Sequence, residues 1–199
     1  MKFNLRPEPG PLSFDKACLA ELVFLAVAFL WGALSQHPTL GDLRWRTQDA
    51  LLGCAAVIPP FVFFLWTLRS DLPVISRHRK VLEALLRPLF GSWSLPQLAV
   101  LCLAAGFAEE ALFRGALQRT FARGLGNLPA IIIASLLFGA AHPLTLTYAL
   151  ITAAIGAYLG WLWLFTGNLL TPMVTHAAYD FVALVYLLRL HRPAKRQGR

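Results

Sequence analysis

Apolar residues run along this chain in long blocks, with the polar residues gathered between them. The blocks are not amphipathic at the helical period, so they read as helices with apolar surroundings on every side. A helix needs about 20 mostly apolar residues to cross the hydrocarbon core of a bilayer. Six stretches are candidates, at about 17–35, 50–68, 94–121, 128–142, 146–166 and 168–190. The second contains Pro59-Pro60 and should kink or break there, because proline lacks an amide donor and crowds the preceding turn. Between the second and third lies a basic and then amphipathic stretch, Arg69 to Trp93, which suits a helix lying along the membrane surface. The expected fold is therefore all-α, a polytopic membrane bundle of about six transmembrane helices with a four-helix core in its second half. It divides into a tail, two spans and basic loop over 1–93, a helix bundle over 94–190, and a basic disordered tail over 191–199.

Composition strengthens the membrane reading. The 199 residues are 57% hydrophobic and 14% charged, where a soluble domain carries roughly 25% charged residues; mean hydropathy is +0.60. A net charge of +8 invites a nucleic-acid reading. The Lys and Arg residues, however, cluster at the ends of apolar blocks, as topology signals do, so nucleic acid is not an expected partner. With both termini in the cytosol, thirteen of the eighteen Lys and Arg residues fall on the inner side. Six helices satisfy that asymmetry and an odd number loses it. The expected setting is an integral protein of the plasma membrane, with anionic lipid a candidate partner for the basic loop. The start of the chain is too polar and Pro-rich for a signal peptide. Cys18, Cys54 and Cys102 share no metal-type spacing and read as buried thiols. Trp66, Trp93, Trp161 and Trp163 read as interface anchors. Gly156 and Gly160 form a GxxxG pattern, a weak sign of close helix packing.

Against this background the ionisable residues inside the later helices stand out: Glu109, Glu110, Arg114, His142, His176 and Asp180. Each such residue at a helix centre costs about 2.5–3.5 kcal/mol on insertion scales, so they should face the bundle interior and meet one another. Spacing allows the meeting. With a turn near residues 122–129, Glu109 and His142 lie about thirteen residues on either side of it, each about 20 Å deep, and His176 and Asp180 reach about 12 and 18 Å from the same side. Glu110 and Arg114 are four apart and can pair on one face, leaving Glu109 free on another. Phe138 and His142 share that spacing, as do His176 and Asp180. Glu21, in the first span, reads as a near-surface residue or a structural contact.

A desolvated carboxylate can take a proton from water and return it to a leaving group, with an imidazole holding the water or donating to an oxyanion. Peptide hydrolysis needs these parts. No GxSxG is present, and no cysteine lies near a histidine in sequence, which disfavours a covalent nucleophile. Glu109, His142 and His176 also make a zinc-type donor set, though no HExxH is present, so a divalent metal such as zinc stays open.

These residues resemble a known family. Glu109, Glu110 and Arg114 in EEALFR, Phe138 and His142 in FGAAH, and His176 and Asp180 in HAAYD follow the motif order of the CPBP (CAAX protease and bacteriocin-processing, Abi) intramembrane glutamic endopeptidases. The resemblance covers roughly 95–185. It implies a catalytic helix bundle in which Glu109 and His142 activate water and His176 and residue 180 stabilise the oxyanion. Glu110, Arg114 and Phe138 support the site, no cofactor is required, and the substrate is a peptide or protein at the membrane. The last position is often Asn in the family and is Asp180 here; an ionised Asp cannot donate to an oxyanion, so orienting His176 is one role left to it. Two rival readings are a non-catalytic scaffold or bacteriocin-immunity protein, which keeps the motifs as structure, and a proton-coupled transporter. The latter more often shows repeated halves, and none is visible.

Overall fold

The computed structural model describes residues 11–191, and every regular element among them is helical. Of the expected disordered tail over 191–199, residues 192–199 lie outside the described part, as do residues 1–10. Helix α1 spans Phe14–Leu34. The second apolar block is two helices, α2 (Thr47–Ala55) and α3 (Ile58–Arg69), which meet at Ala56-Val57. Pro59 and Pro60 fall in the first turn of α3, where the missing amide hydrogens leave no bond unmade. The amphipathic stretch is α4 (Pro73–Phe90).

Helix α5 (Leu95–Glu110) opens on a capping box: the Gln97 amide donates to Ser94 Oγ while the Ser94 amide donates to Gln97 Oε1 at 2.9 Å. It continues through a π-helical segment, Ala111–Gln118, into α6 (Arg119–Leu125), making one apolar helix of 31 residues. Gly126, at φ +84°, turns the chain into α7 (Asn127–Ala140). Two long helices follow, α8 (Leu146–Thr166) and α9 (Leu170–Val185), the latter ending in a second π segment, Tyr186–Leu190.

Five helical stretches among the described residues are long and apolar enough to cross a membrane. The sixth expected span, 128–142, is the 14-residue α7, about 21 Å long against a core of about 30 Å. Pro143 explains the early stop, since the residue before a proline is pushed out of helical geometry. His142 therefore lies in the turn after α7, not inside a helix as expected.

Packing is pairwise and close. Helix α9 lies against α5 and α2, α1 against α5 and the first π segment, and α7 against α8. At Gly106 of α5 an added Cβ would come within 2.8 Å of Met173 O and Ala177 Cβ on α9, so only glycine lets these two helices approach so closely. Asn168 fixes the start of α9: its Nδ2 donates to Asp49 Oδ2 at 2.7 Å and Arg44 O at 2.8 Å, and its Oδ1 accepts from the Leu170 amide.

Several smaller expectations change. Trp66 and Trp161 are exposed as anchors should be, but Trp93 and Trp163 are core residues. Trp93 packs edge-on against Phe14 and Phe90. Of the cysteines only Cys102 is buried, and Cys54 faces outward. Two basic residues of the 69–93 loop bond to the protein: Arg79 donates to Leu68 O, and Arg87 to Leu187 O and His191 O. They cap helix ends, satisfying carbonyls that have no partner within the helix.

Candidate active site

Glu109 and Glu110 are the last two residues of α5, at the point where the helix widens into the π segment. Glu110 is fully buried and Arg114 is 1% exposed. Arg114 Nη1 lies 2.6 Å from Glu110 Oε1, the pair expected from their spacing. The guanidinium also reaches across the bundle: Nη2 donates to Gly156 O at 2.7 Å, and Cζ sits 4.6 Å from the centre of the Phe138 ring. One π-helical turn on, Gln118 donates to Gly160 O at 3.2 Å. The GxxxG pattern thus has a specific task. Its glycines uncover two α8 carbonyls four residues apart, and Arg114 and Gln118, also four apart, reach them.

Glu110 Oε1 serves a second partner. His176 Nδ1 donates to it at 2.8 Å, joining α5 to α9 through one oxygen. His176 Nε2 faces Asp180 Oδ2 at 3.3 Å, so both ring nitrogens meet carboxylates. The geometry fits the orienting role left to Asp180, which is half-buried.

His142 Nδ1 bonds to Phe138 O at 2.8 Å, its own turn's carbonyl. A carbonyl can only accept, so the proton is on Nδ1 and Nε2 carries the lone pair. That Nε2 lies 3.7 Å from Glu109 Oε2. Glu109 is 5% exposed, and its Oε2 has no hydrogen-bond partner in the chain. Phe138 packs against both imidazoles, with ring centres 4.9 Å from His142 and 5.7 Å from His176. The residues singled out from the sequence thus gather at one place, from α5, the turn after α7, and α9.

Two cavities open beside them. One, of about 100 Å³, is lined by His142, His176, Asp180 and Phe138; the other, of about 230 Å³, by Glu109, Asp180 and Cys102. Tyr148 and Tyr179 line both. Two residues that the sequence did not place at the site line one cavity each. Glu21, read as near-surface or structural, turns its buried, unpartnered Oε2 toward the bundle and lines the larger cavity with Glu109. The cost of a carboxylate within the first apolar span was the available signal. His78 of α4 lines the smaller cavity, and no sequence signal separated it from its basic neighbours.

The side chains do not make a ready metal centre. Among the described residues no three His, Cys, Asp or Glu groups are placed to hold one ion. For His176 to join Glu109 and His142 on a metal, it would have to leave Glu110 or Asp180.

Comparison with known proteins bears on this same half of the chain. Residues 91–182 match the family model described as type II CAAX prenyl endopeptidase Rce1-like. The Bacillus subtilis (strain 168) protein YpbD, described as uncharacterized, is 38% identical over 99 residues, which is 48% of this chain and 48% of that protein. The chain thus spans about half the length of this curated relative. No solved structure matches. With its five apolar helices the chain is an integral membrane protein, and the segment that carries Glu109, His142 and His176 is similar to the Rce1-like family, in line with the resemblance of its three motifs to the CPBP family.

Proposed function

We propose that the protein is an intramembrane endopeptidase that hydrolyses a peptide bond of a membrane-associated protein or peptide, using water activated by Glu109 and His142. The observation that carries this reading is the pair itself. A buried carboxylate oxygen without a partner faces, at 3.7 Å, an imidazole nitrogen whose other side is fixed by a carbonyl. That gap is longer than a direct hydrogen bond and suits one water shared between the two acceptors.

The chemistry balances on these groups. Glu109 takes one proton from the water as its oxygen attacks the carbonyl carbon, while His142 Nε2 accepts the hydrogen bond from the other. The carbonyl oxygen of the tetrahedral intermediate becomes an oxyanion. His176 Nε2–H, held loosely by Asp180 at 3.3 Å, is the donor that turns toward it. Glu109 then passes its proton to the departing amine nitrogen, the C–N bond breaks, and the products are a carboxylic acid and an amine. Glu110 and Arg114 touch no substrate in this scheme. Glu110 fixes His176, and Arg114 fixes Glu110. The chain's own carboxylate and imidazole suffice, so chelators should leave the rate unchanged. The basic loop and the C-terminal Lys and Arg residues support a plasma-membrane topology with both termini in the cytosol.

Cleavage of internally quenched peptides by the purified protein in proteoliposomes tests the reading. Glu109→Ala and His142→Ala should each lose about 10²–10⁴ in kcat/KM while folding as the wild type does. Full activity in both variants would end it.

A further inference from the structure

Helix α4 lies outside the matched segment 91–182, yet it forms part of the wall around the candidate site. Its one buried residue is His78, 7% exposed. Within a run that reads Arg77, His78, Arg79, Lys80, the histidine alone is buried. It lines the smaller cavity together with His142, His176 and Asp180. Its ring stacks on Tyr148, with centres 5.7 Å apart and planes at 23°, and Tyr148 meets the His142 ring edge-on at 6.2 Å. Nδ1 of His78 is buried and has no hydrogen-bond partner in the chain.

That nitrogen needs a reason. Phe64 and Leu82 line the same cavity, so an apolar ring at 78 would be at home beside Tyr148. An unpaired buried polar atom instead costs about 1–3 kcal/mol. Burial pushes the His78 imidazole below its ordinary pKa, which favours the neutral ring, with one nitrogen donating and the other accepting. The other two histidines of the cavity are committed: His142 Nδ1 to Phe138 O, and His176 to Glu110 and Asp180.

We propose that His78 is a substrate-binding residue, whose imidazole hydrogen-bonds a main-chain group of the peptide lying extended through the cavity beside the scissile bond. The proposal rests on the peptidase reading above. A peptide entering between helices sheds water from its N–H and C=O groups, and each requires a replacement partner. A neutral imidazole serves either kind. Stacking on Tyr148 holds the ring in place beforehand, so little side-chain freedom is lost when the peptide arrives. Helix α4 is then a binding wall of the site as well as a basic surface element.

The test uses the full-length protein in proteoliposomes. The probe is the internally quenched peptide that the wild type cleaves fastest from a random-sequence library. His78→Phe keeps a flat ring on Tyr148 and removes the nitrogens. A contact made equally with substrate and transition state raises KM by about tenfold on removal and leaves kcat within about twofold. His78→Asn, whose amide reaches close to the place of Nδ1, should recover part of the loss. An unchanged KM in H78F, with wild-type thermal unfolding, overturns the proposal and leaves His78 as a packed ring satisfied by water. Should H78F fold poorly, H78N decides. A KM nearer the wild type than that of His78→Ala supports the contact, and equal values for the two variants overturn it. Glu109→Ala and His142→Ala separate the two levels of failure: full activity in both removes the reading on which the proposal rests, whereas activity lost in them with an unmoved KM in H78F removes only the His78 assignment.

Discussion

Helices α1–α4 and helices α5–α9 treat polarity in opposite ways. In the second region, buried polar groups are tied to one another across helices: Arg114 to Glu110 and Gly156, Glu110 to His176, His176 to Asp180. In the first, apolar side chains point outward, with Leu19 and Leu22 each 59% exposed, as suits a surface bathed in lipid. Two polar side chains that α1 and α4 turn to the cavities, Glu21 and His78, each keep an atom without a partner. The contrast separates two kinds of buried polar group. Arg114, Glu110 and His176 of α5–α9 hold one another within the bundle. Glu21 and His78, like Glu109 Oε2, instead turn an unpartnered atom to a cavity.

The largest effect that would break or sharpen this contrast is expected at Arg114. Removing it strands Glu110 in the core, and loss of one partner of a buried pair costs about 3–5 kcal/mol. Arg114→Ala should thus unfold far earlier than the wild type in detergent; an unchanged midpoint would mean that the network is not what holds α5 to α8. Glu110→Gln should destabilise less, by about 1.5–3 kcal/mol, since it weakens two charge-assisted bonds and keeps the shape. Gly106→Val tests the approach of α5 to α9 by overpacking. Its side chain has no room against Met173 O and Ala177, so a loss of about 1–3 kcal/mol is expected, with lower activity as His176 is pushed from Glu110. Glu21→Gln carries the opposite sign from Glu110→Gln. A neutral amide is less costly to bury than an unpaired carboxylate, so the thermal midpoint should rise, by about 1 kcal/mol of stability. A fall would reveal a partner for Glu21 and erase the contrast. Leu22→Ala, on the outward face, should stay within about 0.5 kcal/mol of the wild type and leave activity unchanged.

Much of the site was legible along the chain because it is built from local pairs. Four-residue spacing sets Glu110 beside Arg114, Phe138 beside His142, and His176 beside Asp180, and each pair is found in contact. Proline positions are equally readable, since the effect of Pro59 and Pro60 on α2 and α3 is covalent in origin. The same rule applied to Pro143 would have ended α7 before His142; the apolar run overshadowed it. That Trp93 and Trp163 lie in the core and not at the interface is hidden for a related reason: residue type describes a tryptophan at an interface and one in a core alike.

What the chain determined by itself is therefore the set of helices, their breaks, and the pairs four residues apart, because these depend on hydrophobic length and on groups close in sequence. Only the tertiary structure decided which groups from distant helices meet. The π-helical turn after Glu110 accompanies the reach of Arg114 and Gln118 to carbonyls of α8. One oxygen of Glu110 serves both Arg114, four residues on, and His176, 66 residues along the chain. His78 and Glu21 join the cavities through the placement of α4 and α1. Such meetings depend on how rigid helices pack, on glycines that let them close to van der Waals contact and on carbonyls exposed at the crossing, and no local pattern records that geometry.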